Sequence, residues 1–154
     1  MDIEIIDFEP QYRDDFKNLN VEWLQKYFVV EDFDEHQLSN PEKEIIEKGG
    51  KIFLAKIGDR IVGTAALLKE HDGYELAKMA VTEDFKGHGI GNILMEYSLR
   101  EAKKLGLEKL ILLSNRSLKP ALAMYEKFGF VEVPLDEETP YERANIKMEL
   151  IIND

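Results

Sequence analysis

The sequence predicts an α/β (α+β) domain: a mixed, mostly antiparallel central sheet of about six to seven strands, flanked by helices on both faces. Three observations predict it. Between residues 51 and 81, apolar segments are joined by the tight-turn pairs Gly58-Asp59 and Asp72-Gly73, and hairpin connections imply antiparallel pairing. From Gly89 onward, amphipathic helical stretches alternate with short apolar strands, which turns an antiparallel start into a mixed sheet covered by helices. Finally, 154 residues with 44% hydrophobic content fill one core, and no repeat, low-complexity tract or Pro/Gly-rich linker divides them. Residues 1–154 therefore form a single domain.

Residues 3–8 read as an opening strand, ended by Pro10. Between Tyr12 and Phe28, Phe16, Leu19, Trp23, Leu24 and Tyr27 recur mostly at steps of three and four, a helical stripe. Residues 29–40 read as irregular and acidic. Pro41 suits the first turn of a short helix over 42–48, stopped by Gly49-Gly50. Strands follow over 51–57, 60–68 and 74–81. Residues 89–105 form a helix with Ile90, Ile93, Leu94, Tyr97 and Leu105 on its apolar face, although Ser98 falls on that face and Leu99 off it. Residues 110–113 lack polar alternation, as a strand covered on both faces should. A helix over 118–128 has Ser117 as its N-cap and Gly129 as its stop, and strands over 130–133 and 144–151 close the sheet.

Composition excludes several classes of function. With no cysteine there is no disulfide framework, Cys-ligated zinc site or catalytic thiol. His36, His71 and His88 are scattered without metal-ligand spacing, so no metal is expected. The longest apolar run, 61–68, falls far short of the ~20 residues of a membrane span, and Met1-Asp2-Ile3-Glu4 lacks the basic start of a signal peptide. The default compartment is then the cytoplasm. A net charge of -11 disfavours nucleic acid, whose phosphates it repels. That charge is uneven: residues 1–50 hold 14 acidic and 5 basic side chains, residues 51–154 hold 17 and 15. It reads either as a solvated acidic face or as a surface that attracts a cationic substrate.

The segment Lys86-Gly87-His88-Gly89-Ile90-Gly91-Asn92 joins a strand to a helix and places three glycines on alternate positions. Without side chains there, backbone N–H groups can close on an anion at the helix N-terminus, and Lys86 adds a full positive charge. A pyrophosphate is the natural guest. A Walker loop would end in Gly-Lys-Ser/Thr, but Asn92 and Ile93 follow Gly91. A dinucleotide fold would place the loop after the first strand, and here about four strands precede it. A purely structural glycine turn stays open.

Residues 81–94 resemble the acyl-CoA-binding motif of the GNAT superfamily of acyl-CoA-dependent N-acyltransferases. That motif is Arg or Gln, two residues, Gly, one residue, then Gly or Ala; this chain departs from it only in having Lys86 at the first position. Lys keeps the charge but not the planar fork. A second segment, Asn115 followed by Tyr125-Glu126-Lys127-Phe128-Gly129-Phe130, is similar to the family's strand-end Asn and Tyr-Glu-Lys-x-Gly-Phe. The resemblance covers nearly the whole chain and implies a GNAT-like fold with acetyl-CoA as co-substrate.

Moving an acetyl group from a thioester to an amine requires deprotonation of the amine, donors for the carbonyl oxygen and a proton for the leaving thiolate. The resemblance implies Tyr125 as the acid that protonates the thiolate; the alternative is a core tyrosine packed with Leu122 and Phe128. It implies Glu75 as the base, and strand parity puts Glu75, Ala77, Met79 and Val81 on one face unless a bulge intervenes. By the same matching, backbone amides from Met79 through Ala80 to Val81 serve the oxyanion. Val81 and Lys86, Gly87, His88, Gly89, Ile90, Gly91 and Asn92 hold pantetheine and pyrophosphate. Asn115 meets the pantetheine arm or acts as a plain turn residue, and Lys119 and Arg116 meet the nucleotide phosphate or are only solvated. Trp23, Tyr27 and Phe28 line the acceptor side, beside the acidic run Glu31-Asp32-Phe33-Asp34-Glu35, or are the core stripe of a helix, and Arg143 and Asn145 hold an acceptor carboxylate or decorate an edge strand.

The function expected is N-acetyl transfer from acetyl-CoA to a primary amine of a small molecule or peptide, with a cationic acceptor modestly favoured. Direct attack of the amine needs neither a metal nor a covalent intermediate. The alternative is a non-catalytic acyl-CoA-binding or regulatory module on the same fold. Neither a membrane nor a nucleic acid is an expected partner, and a homodimer is left open.

Overall fold

The computed structural model describes residues 2–137 and 139–152. Its strands are β1 (Glu4–Asp7), β2 (Lys51–Ile57), β3 (Arg60–Glu70), β4 (Gly73–Val81), β5 (Lys109–Ser114), β6 (Val131–Val133) and β7 (Ile146–Ile151). They form one sheet in the order β1-β2-β3-β4-β5-β7-β6, in which only β4 and β5 run parallel. The two-residue turn after β2 places Gly58 at φ +59°, a conformation glycine adopts without strain, and so fixes the hairpin that the sequence announces. The parallel pair needs a long crossover, and a helix supplies it.

Helices α1 (Arg13–Tyr27) and α2 (Asp32–Ser39) cover one face; α3 (Ile90–Lys104) and α4 (Lys119–Lys127) cover the other. Period 2 along the strands feeds both layers. Leu54, Ala66 and Leu68 pack against Phe16, Leu19, Leu24 and Leu38, while Phe53, Leu67 and Leu110 pack against Met95 and Ala102. The expected mixed sheet with helices on both faces is the fold found.

Several local expectations are corrected. Residues 29–40 are not irregular, because α2 occupies most of them. Its start is a capping box: the Glu31 side chain accepts a bond from the amide of Asp34, and the Asp34 carboxylate accepts one from the Glu31 amide at 3.0 Å. Asp32, Asp34 and Glu35 then sit in the first turn, where the helix dipole favours acids. Residues 42–46 form a wide π-type turn rather than a regular helix. Ser117 does not cap α4. Leu118 holds that position, and the Ser117 amide donates to Asn115 Oδ1 at 2.8 Å. Strand β5 is not equally covered on its two sides: Leu110, Leu112 and Ser114 are buried, whereas Ile111 and Leu113 are half-buried.

The largest departure lies in β4. From Ala66↔Ala77 to Thr64↔Ala80, β3 advances two residues while β4 advances three, so one extra residue bulges at Lys78. Lys78 takes φ +56°, the left-handed region, at roughly 1–2 kcal/mol for an L-residue. Its carbonyl accepts a 2.7 Å bond from Thr64 Oγ1, which in turn accepts one from Asn20 Nδ2 at 3.1 Å. The bulge breaks the expected parity. Ala77 packs with the α1 layer, while Met79 and Val81 face the α3 layer, so Glu75 does not share a face with them. Strands β4 and β5 pair only at Tyr74↔Leu110 and Glu75↔Ile111, and beyond Glu75 they part as a wedge.

Candidate functional site

A cavity fills the wedge, with Glu75 at its apex. The walls come from every layer: Leu76 and Met79 of β4, Leu112 and Leu113 of β5, Tyr125 of α4, Trp23 at the end of α1, and Tyr141 and Arg143 from the connection between β6 and β7. Glu75 is only 5% exposed. Burial pushes its carboxyl up to about 8, with Glu70 adding to the rise and Lys78 opposing it. Burial also pushes the Tyr125 phenol up to about 12, so it carries its proton at neutral pH. One cavity thus holds a carboxyl poised to exchange a proton near neutrality and a phenol with a proton to give.

Next to Glu75 lies a buried charged cluster that the sequence did not reveal. Asp34, 0% exposed, accepts bonds from Arg143 Nη1 at 2.7 Å and Nη2 at 2.9 Å, and faces Lys78 Nζ at 3.5 Å. Lys78 Nζ also donates to Tyr141 Oη at 3.3 Å, and Tyr141 Oη donates to Gln37 Oε1 at 3.3 Å. Glu31 takes a further Arg143 Nη1 bond at 3.0 Å and the Glu142 amide at 2.9 Å. Burial pushes the Asp34 carboxyl up, but the Arg143 bond and the Lys78 charge outweigh it and hold it below the ordinary range. Burial drives the Lys78 ammonium down against the pull of Asp34. The network ties α2 to residues 141–143 across one side of the cavity.

The glycine loop lies at the start of α3. Gly87 at φ +82° and Gly89 at φ +77° both take left-handed backbone, with open space where a side chain would stand. The first amides of a helix have no intrahelical acceptor, so they are offered to a ligand at this end. A Cβ at Gly91 would meet only Met124 Sδ, at 3.9 Å. Ile90 is buried in the core with Leu94. Lys86 Nζ donates to Tyr27 Oη and pairs with Glu83 at 3.0 Å; the Tyr27 bond raises its pKa further. The residues present fit an anionic, pyrophosphate-bearing group.

The other expected site residues divide. Met79, Asn115 and Trp23 line the cavity, but Asn115 has both side-chain ends engaged within the chain, Nδ2 with the Arg143 carbonyl at 2.7 Å and Oδ1 with the Ser117 amide. Ala80 is buried in the sheet, and Lys119 is exposed at the start of α4. Tyr27 lies outside the cavity, beside Lys86. Asn145 also lies outside, accepting the Arg116 amide at 2.8 Å. Arg143 reaches the cavity but is already bound to two carboxylates of the chain. Of the four carboxylates considered as bait for a cation, Glu31 and Asp34 are held by Arg143 and Glu35 by Lys17 at 3.0 Å.

A sequence model described as the acetyltransferase (GNAT) family matches residues 14–130. The chain belongs to the GNAT acetyltransferase family. Like its family, it is an acyl-CoA-dependent acetyltransferase. It is 30% identical over 105 residues to the uncharacterized N-acetyltransferase YvbK of Bacillus subtilis, covering 66% of this chain and 68% of that one. A GNAT-family acetyltransferase of Staphylococcus aureus Mu50 superposes with a TM-score of 0.87 at 21% identity, over 99% of this chain and 100% of the other. The PaiA N-acetyltransferase of Thermoplasma acidophilum, crystallised with coenzyme A, superposes with a TM-score of 0.76 at 18% identity, over 99% and 100%. Among the described residues no helix is long and apolar enough to cross a membrane.

Set against this GNAT fold, the residues missed by sequence reasoning are Lys78, Tyr141, Gln37 and Glu70, and Asp34 was read only as one of an acidic run. One signal was available. Glu31-x-x-Asp34 has the spacing of a capping box, and it could have revealed α2. Nothing local marks Lys78 as a bulge.

Proposed function

We propose that this chain transfers the acetyl group of acetyl-CoA to a primary amine on a small molecule or peptide, by direct attack of the amine. The observation that carries the proposal is the meeting of Glu75 and Tyr125 in one cavity, at the wedge that the Lys78 bulge opens. Acetyl-CoA, when bound, supplies the thioester that the amine attacks. Amides at the start of α3, from Gly87 to Asn92, take its phosphates, with Lys86 as the nearby cation. Glu75 receives the amine proton. The Tyr125 hydroxyl gives its proton to the departing sulfur and is restored by the second proton that the acylated nitrogen sheds. Backbone N–H groups at Met79 to Val81 serve the carbonyl oxygen, a reading supported by the bulge and by the strand edge that faces away from β3 without pairing to β5. Because the acidic run is largely neutralised by Arg143 and Lys17, the acceptor is proposed as an amine with no preference for added positive charge.

The test is release of free thiol from acetyl-CoA across a panel of primary amines, run on the wild-type chain, Glu75→Gln and Tyr125→Phe. The proposal expects amine-dependent release that both substitutions depress. A chain that binds acetyl-CoA but releases no thiol with any amine is instead the non-catalytic acyl-CoA-binding module.

A further inference from the structure

Glu75 lines two cavities. The first is the wedge just described. The second opens on the other side of Glu75, between the β3–β4 turn and the β6–β7 connection, with Glu70 and Tyr74 in its walls. The strand register relates the two carboxylates. Leu68 lies opposite Glu75 and Glu70 opposite Gly73, so Glu70 is the diagonal neighbour of Glu75 on the same face. Both carboxyl groups line the second cavity, and the Glu70 charge adds to the rise of the Glu75 carboxyl. Glu75 is buried, whereas Glu70 is exposed to solvent. A buried carboxyl facing the reaction thereby has an exposed one, facing water, as its same-face neighbour.

We propose that Glu70 is the proton exit of this enzyme, acting through Glu75 to pass the acceptor's proton from the wedge to solvent through the second cavity. The inference rests on the amine-acetylation reading above. It answers a difficulty in that reading: a buried carboxyl that holds its proton cannot accept a second one. In the relay, the Glu75 O–H bond breaks as its proton passes to the Glu70 carboxylate. Glu75 then takes the proton of the acceptor ammonium, whose N–H bond breaks and whose electron pair becomes free to attack. Glu70 finally gives its proton to water. One proton enters the pair and one leaves, with no oxidant or reductant. Lys78 of β4, Asp34 of α2, and Tyr141 and Arg143 of the β6–β7 connection face the buried end. Lys48 faces Glu70, and His71, Asp72, Lys109, Asp136 and Lys147 complete the charged walls of the outer cavity.

Two measurements test it. The first needs no acceptor: carbon-13 NMR titration of labelled Glu carboxyls in the wild-type chain, Glu70→Gln and Glu75→Gln. The relay expects Glu70 and Glu75 to titrate as a pair in two linked steps, and the survivor to titrate in a single step in either variant. Independent titrations in the wild-type chain overturn it. The second is amine-dependent thiol release. Glu70→Gln keeps the size and polarity of the side chain but cannot accept a proton, so turnover should fall about tenfold or more with acetyl-CoA affinity unchanged. Glu70→Asp, or added imidazole or acetate buffer, should restore part of the loss. If Glu70→Gln merely moves the acidic limb to lower pH, with a wild-type plateau and no buffer effect, Glu70 only perturbs Glu75 and the relay is wrong. A wild-type chain that acetylates no amine overturns the underlying reading and the relay together, and is told apart because the loss precedes any substitution.

Discussion

Glu75→Gln removes one ionisable group from the apex of the wedge while leaving its volume almost unchanged. With the wild-type carboxyl near 8, about a tenth of it is ionised at pH 7 and about nine tenths at pH 9. Turnover of the wild-type chain should therefore climb about tenfold across that interval. The Gln variant should lose the climb and run about 100- to 10,000-fold slower at its plateau. Initial rates of thiol release from acetyl-CoA, measured from about pH 6 to about pH 9.5 at saturating amine, read both effects. The same substitution has a signature in stability. The folded-state value lies above the ordinary 4.5, so the contribution of the protonated group is fully present below 4.5 and is lost as pH rises through about 8. The loss is bounded by ~5 kcal/mol, the free-energy equivalent of moving from 4.5 to about 8. Urea midpoints of the wild-type chain should fall between about pH 5 and about pH 9, and those of Glu75→Gln should fall less. An acidic limb that survives in the Gln variant, at the same pH and with the same plateau, would falsify the assignment of Glu75 as the base.

Three further substitutions probe the surroundings. Tyr125→Phe should cut turnover by about 100-fold while calorimetric affinity for acetyl-CoA stays within about twofold; equal turnover removes Tyr125 from the chemistry. Thr64→Val strips the Lys78 carbonyl of its donor and Asn20 of one acceptor, so urea denaturation should show a loss of about 1–3 kcal/mol, and turnover should drop as the bulge relaxes. Stability within about 0.5 kcal/mol of wild type would mean that Thr64 does not hold the bulge. Asp34→Asn leaves Lys78 and Arg143 without their shared buried counter-charge, at a loss of about 3–5 kcal/mol near neutral pH. Asp34 is held below its ordinary range, so its contribution is present above that range and fades as pH falls through the depressed value; a deficit independent of pH contradicts the ion-pair account.

The sheet was legible where its rules are local. Gly58-Asp59 fixes a hairpin with two residues, and the apolar runs along 51–57 and 60–68 need no knowledge of what lies across the sheet. The glycine loop was legible for the same reason, since backbone conformation and helix start are set within seven residues. What failed was whatever depends on distant partners. The bulge at Lys78 is held by Thr64 of β3, which donates to its carbonyl and is itself held by Asn20 of α1, and no glycine announces it. Segment 31–35 looked solvated because its sequence is nearly all acid, yet Asp34 is buried against Arg143, 109 residues away. Arg143 and Asn145 were open to reading as ligands for an acceptor because sequence gives their polar groups without showing that Asp34 and Glu31 already take the Arg143 donors and that the Arg116 amide already donates to Asn145.

The Lys78 bulge also explains why the chemistry collects where it does. An unbroken β4 would carry Glu75, Ala77, Met79 and Val81 on one face. One extra residue instead sends Met79 and Val81 toward α3, where the glycine loop begins, and leaves Glu75 at the last paired position before β5 departs. The same residue that breaks the strand places an ammonium beside Glu75, and that ammonium opposes the rise in the Glu75 carboxyl. Asp34 then draws Lys78 and Arg143 into its own pairing, so the cations near Glu75 are compensated from α2. The helix is therefore more than a wall of the cavity. By neutralising Lys78 and Arg143, it lets burial and Glu70 set the protonation of Glu75, and the first turn of α2 thereby bears on the chemistry at the far side of its own layer.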